Sequence, residues 1–445
     1  MVRRTCFISI GAAILFNLFA LTASAQDTIK NLRLNEAISA ALNNNKNVQI
    51  AKLDENIALA NFKQTEEIFL PQVNLSYKAM GTNDPLSAFG FKLEQRSITQ
   101  NDFNPAVLNH PSGTVDYMTK LEVQQPLINI DMVYQRKGAQ KQTEVYQYKT
   151  QRTREYLTFE VQKAWLQLKL AYDAVSVLEE ALLTARSVYT FTDNHFKQGL
   201  IQKSDVLNAQ VHLITVESGL AKAHSAIKNA SDYLSLLMEQ PTGVTYKIND
   251  EFQASPSGPD TTRKIFSTRS DFMAMQKAIE ASGMMIKSSQ MGYLPKLNAF
   301  GNYQYNDSRL TGFGANSYLF GVQLSWNIFN GNKTKNVIAT QKLERDKLTN
   351  QLAQQKDQSQ SDMYKACRDL SDARFEIGQE KASIEQASES LRILQNRYNQ
   401  GLVNTTDVLI AETQLSQQRF ALAQAQFTAD VTQAYIQFLT TNTNK

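Results

Sequence analysis

The sequence predicts a mostly α-helical chain with a small membrane β-barrel portion, built from two structural repeats. Three observations carry that prediction. A glycine-centred phrase is written twice, as FKQGLIQKSDVL over 196–207 and YNQGLVNTTDVL over 398–409, and a matched pair of this kind points to whole-chain repetition. An apolar stripe at helical spacing precedes each copy at the same 202-residue offset. Ahead of each stripe lie two segments in which apolar and polar residues alternate, the period of a strand with one buried face.

The first 25 residues read as a signal peptide (1–25), because Arg3 and Arg4 precede an apolar run over 7–21 that ends in Ala23, Ser24 and Ala25 before Gln26. That run is short for a membrane span, and no other stretch approaches the roughly 20 apolar residues a membrane helix needs. Cys6 leaves with the signal and is not placed where a lipid-bearing cysteine would be. Cys367 then stands alone and no intrachain disulfide can form. Removing Arg3 and Arg4 takes the net charge from +4 to +2, too balanced to suggest nucleic acid as a partner.

The first repeat is expected over 26–238. It opens with a helix over about 34–69 that stops at Leu70-Pro71, where proline ends a helix and is tolerated at a strand start. Two strands follow, with Val73, Leu75, Tyr77 and Ala79 on one face of the first and Val115, Tyr117, Thr119, Leu121 and Val123 on one face of the second. Between them, 81–113 is rich in proline, asparagine and phenylalanine and is far longer than a hairpin requires. A long helix is expected from near Asp131 to the first glycine phrase. Its stripe is Val161, Ala164, Leu168, Ala171, Val175, Leu178, Leu182, Ala185, Tyr189 and Phe196, weakened by Thr192. Steps of three and four give the 3.5-residue period of helices packed side by side, and about 65 residues make a rod on the order of 100 Å.

A linker over 239–268 holds three of the nine prolines and is expected to cross outside the rods. The second repeat, 269–445, has a helix over 271–293 ending at Leu294-Pro295. Strands follow with Leu297, Ala299, Tyr303 and Tyr305 and then Tyr318, Phe320, Val322, Leu324, Trp326 and Ile328 as apolar faces. Its rod starts near Lys333, with the stripe Met363, Ala366, Leu370, Ala373, Ile377, Ile384, Ala387, Leu391 and Tyr398, interrupted by Glu380. Four strands of about ten residues suit an outer-membrane barrel wall, but about eight is the smallest closed barrel. An open edge is not tolerated in lipid, so copies of the chain must complete the barrel.

In order, these elements resemble the TolC-like outer-membrane efflux proteins over essentially the whole mature chain. The residues that carry the resemblance are Leu32-x-Leu34-x-x-Ala37 with Ala41-Leu42-x-x-Asn45, the run Arg269-Ser270-Asp271-Phe272, both Leu-Pro pairs and both glycine phrases. The resemblance implies a homotrimer in the outer membrane, with twelve strands in one barrel and the helical portion in the periplasm. It implies a periplasmic adaptor and an inner-membrane pump as partners, in a tripartite efflux or type I secretion system. The glycine phrases become the periplasmic tips. Gly199 and Gly401 would end one helix in left-handed conformation, and Ser204 and Thr406 would cap the next. Gly199, Leu200, Gly401 and Leu402 would meet the adaptor. Asp205, Tyr398 and Asp407 would line the periplasmic aperture, although an aspartate in a first helical turn also simply complements the helix dipole. The chain departs from a well-known family member at Val403, where that protein has arginine, and at Ile410, where it has aspartate.

The chain shows no phosphate loop, zinc-helix motif or nucleophile elbow, so no enzyme activity and no cofactor are expected. His110, His195, His212 and His224 are scattered and read as surface or packing residues. Met273, Met275, Met284, Met285 and Met291 suit a soft metal but read better as core gap-fillers. The competing function is an exported structural coiled-coil scaffold or adhesin, whose alternating segments would form a soluble sheet.

Overall fold

The computed structural model describes residues 28–248 and 265–442. The expected signal peptide and most of the expected linker lie outside the described residues. The elements run β1 (Thr28–Leu32), α1 (Leu34–Asn44), α2 (Lys46–Gln64), a 3-10 turn (Thr65–Ile68), β2 (Gln72–Thr82), α3 (Pro85–Glu94), a second 3-10 turn (Gln100–Phe103), α4 (Pro105–Asn109), β3 (Thr114–Ile128) and α5 (Ile130–Lys197). They continue with α6 (Lys203–Met238), β4 (Val244–Ile248), α7 (Ser270–Met291), β5 (Lys296–Asp307), β6 (Ala315–Ser325), α8 (Lys333–Asn399) and α9 (Thr405–Leu439). Among them no helix is long and apolar enough to cross a membrane. The two rods, α5 and α8, have 68 and 67 residues.

The chain divides into two units. One takes the described residues up to Ile50, Arg152–Arg269 and those from Gln358 onward. Its core is the stripe expected on α5: Val161, Ala164, Leu168, Ala171 and Val175 are buried with Leu157, Trp165 and Leu166 against Ile227, Leu234 and Met238 of α6 and Ala37 and Ala41 of α1. Alanine recurs in the stripe, and its small side chain lets neighbouring helices approach. On α8, Met363, Ala366, Ala373, Leu391 and Tyr398 are buried. Glu380, which breaks that series, is half-buried, and its Oε2 has no hydrogen-bond partner among the described residues.

β1 pairs in parallel with β4, from Thr28↔Val244 to Leu32↔Ile248. A two-stranded sheet is weak alone, and α6 anchors this one. Buried Ser231 accepts from the Tyr246 amide at 3.2 Å, and Ser235 donates to the Tyr246 hydroxyl at 3.1 Å. The helix expected over 34–69 is instead two helices and a 3-10 turn. Asn45 breaks it, because its Oδ1 accepts from the Asn47 amide at 2.9 Å while its Nδ2 donates to the Leu237 carbonyl at 3.0 Å. An asparagine side chain offers the backbone an alternative to the helical ladder.

The second unit, Ala51–Gln151 and Ser270–Asp357, holds an antiparallel sheet in the order β2-β3-β5-β6. Register puts like with like. Leu75, Leu121, Tyr303 and Tyr318 lie in one row across the four strands, and Ser76, Lys120, Gln304 and Ser317 in the next. One face is therefore apolar and the other polar, as the alternation predicts. Pro126 falls where β2 has already ended and where the β3–β5 register shifts, positions a sheet tolerates. β6 stops at Ser325, short of the Ile328 expected, and the Trp326 Nε1 donates to the Tyr293 carbonyl at 2.9 Å. In the same unit, a Cβ on Gly138 would lie 3.2 Å from the Met285 Cε, so α5 and α7 approach closely there.

Leu168 is fully buried in the core of the first unit. Replacing it with alanine is expected to cost about 2–5 kcal/mol through lost transfer energy and the cavity left behind. Thermal melting of the detergent-solubilised protein, followed by helical circular dichroism, should shift several degrees downward.

Candidate functional site

Both glycine phrases fold into the same helix-ending turn. Gly199 has φ +75° and Gly401 φ +74°. The Gly199 amide donates to the Phe196 carbonyl at 2.8 Å and the Leu200 amide to the His195 carbonyl at 3.0 Å; Gly401 and Leu402 repeat this on Tyr398 and Arg397 at 2.9 Å each. This is the Schellman pattern. No atom lies within 4 Å of a Cβ built on either glycine, so left-handed φ, not crowding, is what requires glycine.

The next helices do not start on Ser204 and Thr406. Their N-caps are Gln202 and Asn404, both extended, with ψ 154° and 155°. The turn needs only three residues after glycine, which places Ser204 and Thr406 inside the first helical turn. Asp407 then stands at the third helical position, and its carboxylate accepts from the Asn404 amide at 3.3 Å, half of a capping box. Asp205 has the equivalent place, half-buried; its neighbour Ser204 reaches back to Gln202 Oε1 at 3.4 Å.

Tyr398 is buried and hydrogen-bonds to neither aspartate. Its hydroxyl lies 2.7 Å from Thr192 Oγ1 and 2.9 Å from Thr405 Oγ1, and its ring centroid is 4.7 Å from that of Phe191. Thr192 donates to the Val188 carbonyl at 2.6 Å, so the protons run from Thr405 to Tyr398 to Thr192 to Val188. Every hydroxyl in the chain is satisfied. The polar Thr192 that weakened the α5 stripe is thus the residue that ties α5 to the second glycine turn. The repeat counterpart of Tyr398 is Phe196, 38% exposed and without a hydroxyl. Val403 packs against the Tyr398 cluster, and Ile410 is exposed. Leu200 and Leu402 remain 65% and 62% exposed.

Sequence reasoning missed a second link. His212 Nε2 on α6 sits 2.8 Å from Glu412 Oε2 on α9, and Ser416 donates to the other carboxylate oxygen at 2.8 Å. Glu412 is almost wholly buried, where a carboxylate requires such partners. The one hint is that Glu412 corresponds, under the repeat offset, to Gln210, two residues from His212. The α7 methionines are half-buried or packed on neighbours. No cluster of His, Cys, Asp and Glu that could hold a metal occurs among the described residues.

A four-stranded sheet bare on its apolar face, together with long helices that reverse at two matched glycine turns, defines the class of outer-membrane efflux channels. The chain belongs to the outer membrane efflux protein family, whose model matches residues 37–238 and 263–441. It is an outer-membrane protein. It is similar to the cation efflux system protein CusC of Escherichia coli O157:H7, 23% identical over 394 residues covering 85% of this chain and 79% of that protein. It is also similar to the probable outer membrane lipoprotein SilC of Salmonella typhimurium, 21% identical over 402 residues, or 86% and 80% of the two chains. A crystal structure of CusC superimposes with a TM-score of 0.79 at 16% identity over 95% of both chains. VceC of Vibrio cholerae gives 0.75 at 17% identity, over 92% of this chain and 96% of its own.

The hydroxyl chain predicts a coupled pair. Tyr398→Phe and Thr192→Val should each lower stability by about 1 kcal/mol or more, since each leaves a buried partner short of a bond. The double variant should cost less than the sum, by about 0.5 kcal/mol or more. A double-mutant cycle on urea denaturation midpoints checks this, and strict additivity would mean that the contact carries no energy.

Proposed function

We propose that the chain is a passive exit duct, not an enzyme: a homotrimer whose three sheets close one twelve-stranded barrel in outer-membrane lipid, with the helical portion continuing through the periplasm. The observation that carries this reading is the sheet itself. Its apolar face is bare, with Tyr318 and Phe320 72% and 77% exposed, and β2 and β6 each pair on one side only. A soluble scaffold would bury that face, whereas lipid covers it, and three copies supply the missing edge partners. Trp326 and Phe329 beyond one end of the strands, with Tyr77, Tyr117 and Tyr305 towards the other, give the aromatic girdles expected at two membrane interfaces.

An inner-membrane pump supplies the energy, through a periplasmic adaptor that docks on Gly199, Leu200, Gly401 and Leu402. The exposure of both leucines supports that assignment, because in this turn type the leucine position commonly packs back on its own helix and here it does not. Asp205, Tyr398 and Asp407 belong to the aperture, with Tyr398 as a buried tie and the aspartates as the acidic groups beside it. Acidic rings favour cations, and similarity to the cation efflux system protein CusC favours a cation cargo over the drug and protein alternatives and efflux over type I secretion.

Two measurements test the reading. Purified protein in detergent should have the mass of a trimer and conduct ions in planar bilayers; a non-conducting monomer released from membranes by salt or urea would return the scaffold reading. Separately, Leu200→Ser with Leu402→Ser should abolish adaptor pull-down while the trimer melts within a few degrees of the parent. A trimer that melts much earlier yet still binds adaptor would make the leucines structural.

A further inference from the structure

The long segment between β2 and β3 is not an irregular loop. Asp84 Oδ2 accepts from the Ser87 amide at 2.9 Å to start α3, with Pro85 at its first position. Lys92 pairs with Asp102 at 2.6 Å, Thr99 caps the 3-10 turn through the same carboxylate at 2.8 Å, and the Phe89 and Phe103 rings meet edge to face at 5.7 Å. The Lys92 hydrogen bond, with those from Thr99, holds the Asp102 carboxyl down at about 2. The stabilisation that this tie contributes is therefore full at neutral pH and is lost as pH falls below the ordinary carboxylate range towards that value.

The module leans on one face of the sheet. Asp116 of β3, Asn306 of β5 and Ala315 of β6 share the polar face, and they are 0%, 1% and 2% exposed, whereas Val115 on the opposite face is 43% exposed. Those three positions lie at the end of the strands that joins the long segment, and α3 packs on β3 and β6. Gln95 Nε2 donates to the Val115 carbonyl at 2.8 Å and to Asp116 Oδ1 at 2.9 Å. Asn306 Nδ2 bridges Asp116 Oδ2 at 2.8 Å and Glu94 Oε2 at 3.3 Å. Arg96, in left-handed conformation at φ +52°, donates to the Asn316 carbonyl at 2.8 Å. The contact forms against an electrostatic cost, since partial burial and then the charge of Asp116 push the Glu94 carboxyl upward.

We propose that the α3 module is an inward-folded gate at the outer mouth of the barrel, seated by Gln95 and Arg96, that sets the size of solute able to pass. This rests on the channel reading, in which the polar face lines the lumen. A segment that merely decorated the cell surface would have no reason to cover the polar face while leaving the apolar one bare. The seat is made mostly of hydrogen bonds, with the small Ala315 as its covered apolar residue, which suits a module that can lift while exposing little apolar surface.

The test uses the full chain in intact cells, with Cys367→Ser and a reporter at Gln124→Cys, a polar-face position towards the far end of β3. Two maleimides that cannot cross the outer membrane are applied from outside, one small and one carrying a long polyethylene glycol chain. The small reagent should label every variant. The large one should label the parent slowly and Gln95→Ala/Arg96→Ala about tenfold faster, the order of shift expected when hydrogen-bonded anchors are lost. Arg96→Lys, which can still donate to the Asn316 carbonyl, should stay slow and serves if the double variant does not assemble, with Arg96→Ala as its fast counterpart. Equal rates for the large reagent in parent and anchor variants overturn the gate and leave the channel intact. Failure of both reagents in every variant means that the polar face is not a lumen, which overturns the channel reading itself.

Discussion

Backbone amides and carbonyls in hydrocarbon have no water to fall back on, and each one left unpaired costs several kcal/mol. A sheet of four strands leaves two rows of them open, one along β2 and one along β6. The proposed trimer follows from this constraint, because it turns both edges into ladders. The same constraint explains the register. In the proposed barrel, a shift of one residue on any strand would carry its tyrosines and leucines to the polar face and its lysines and glutamines into lipid, which would fix the row Leu75, Leu121, Tyr303 and Tyr318. Connections at the strand ends inherit that geometry. Proline at 126, the end of β6 at Ser325 and the Trp326 bond to Tyr293 all fall where pairing is already finishing.

Helices face a different constraint, since each must reverse once without exposing four orphan carbonyls. The chain solves this twice with one phrase. Glycine takes φ near +75° at both turns, and an acidic residue follows at the third position of the returning helix. The backbone is thus duplicated, while the side chains around it are not. Tyr398 is buried and bonded where Phe196 is part-exposed, and Asp407 closes a capping box on Asn404 where Asp205 has only Gln202 before it.

Much of this was legible because it depends on period and backbone chemistry. The α5 and α8 stripes, the four alternating strands and both glycines follow from spacing and from φ, which sequence encodes directly. Asn45 was missed because a polar residue in an amphipathic run resembles any exposed position until its side chain finds the Leu237 carbonyl, 192 residues away. The cap at Gln202 was missed because serine has the stronger cap preference and the length of the glycine turn overrode it; Asn404 was legible, since asparagine outranks threonine as a cap. The folded module after β2 was hidden by its composition: proline and asparagine mark turns as readily as they start short helices. Thr192 and His212 could not have been assigned, because the partners Tyr398 and Glu412 lie about two hundred positions away on other helices.

Those last two residues bear on how a repeated chain can act asymmetrically. Two identical hairpins would move alike, since identical contacts give identical preferences between open and closed arrangements. Here the second glycine turn carries a chain of hydroxyls reaching back to α5, and the returning helices α6 and α9 carry a part-exposed histidine bonded to a buried carboxylate. Neither link is repeated in the other half, where Phe196 and Gln210 occupy the corresponding positions. The first turn has exposed polar contacts instead, Lys197 with Asp193, Ser204 with Gln202 and Arg186 with Glu217, which water can replace at little cost. A buried hydroxyl chain has no such substitute, because each bond lost leaves a desolvated donor or acceptor. The repeat thus supplies the common frame, and a few unrepeated polar side chains give its two halves different buried contacts.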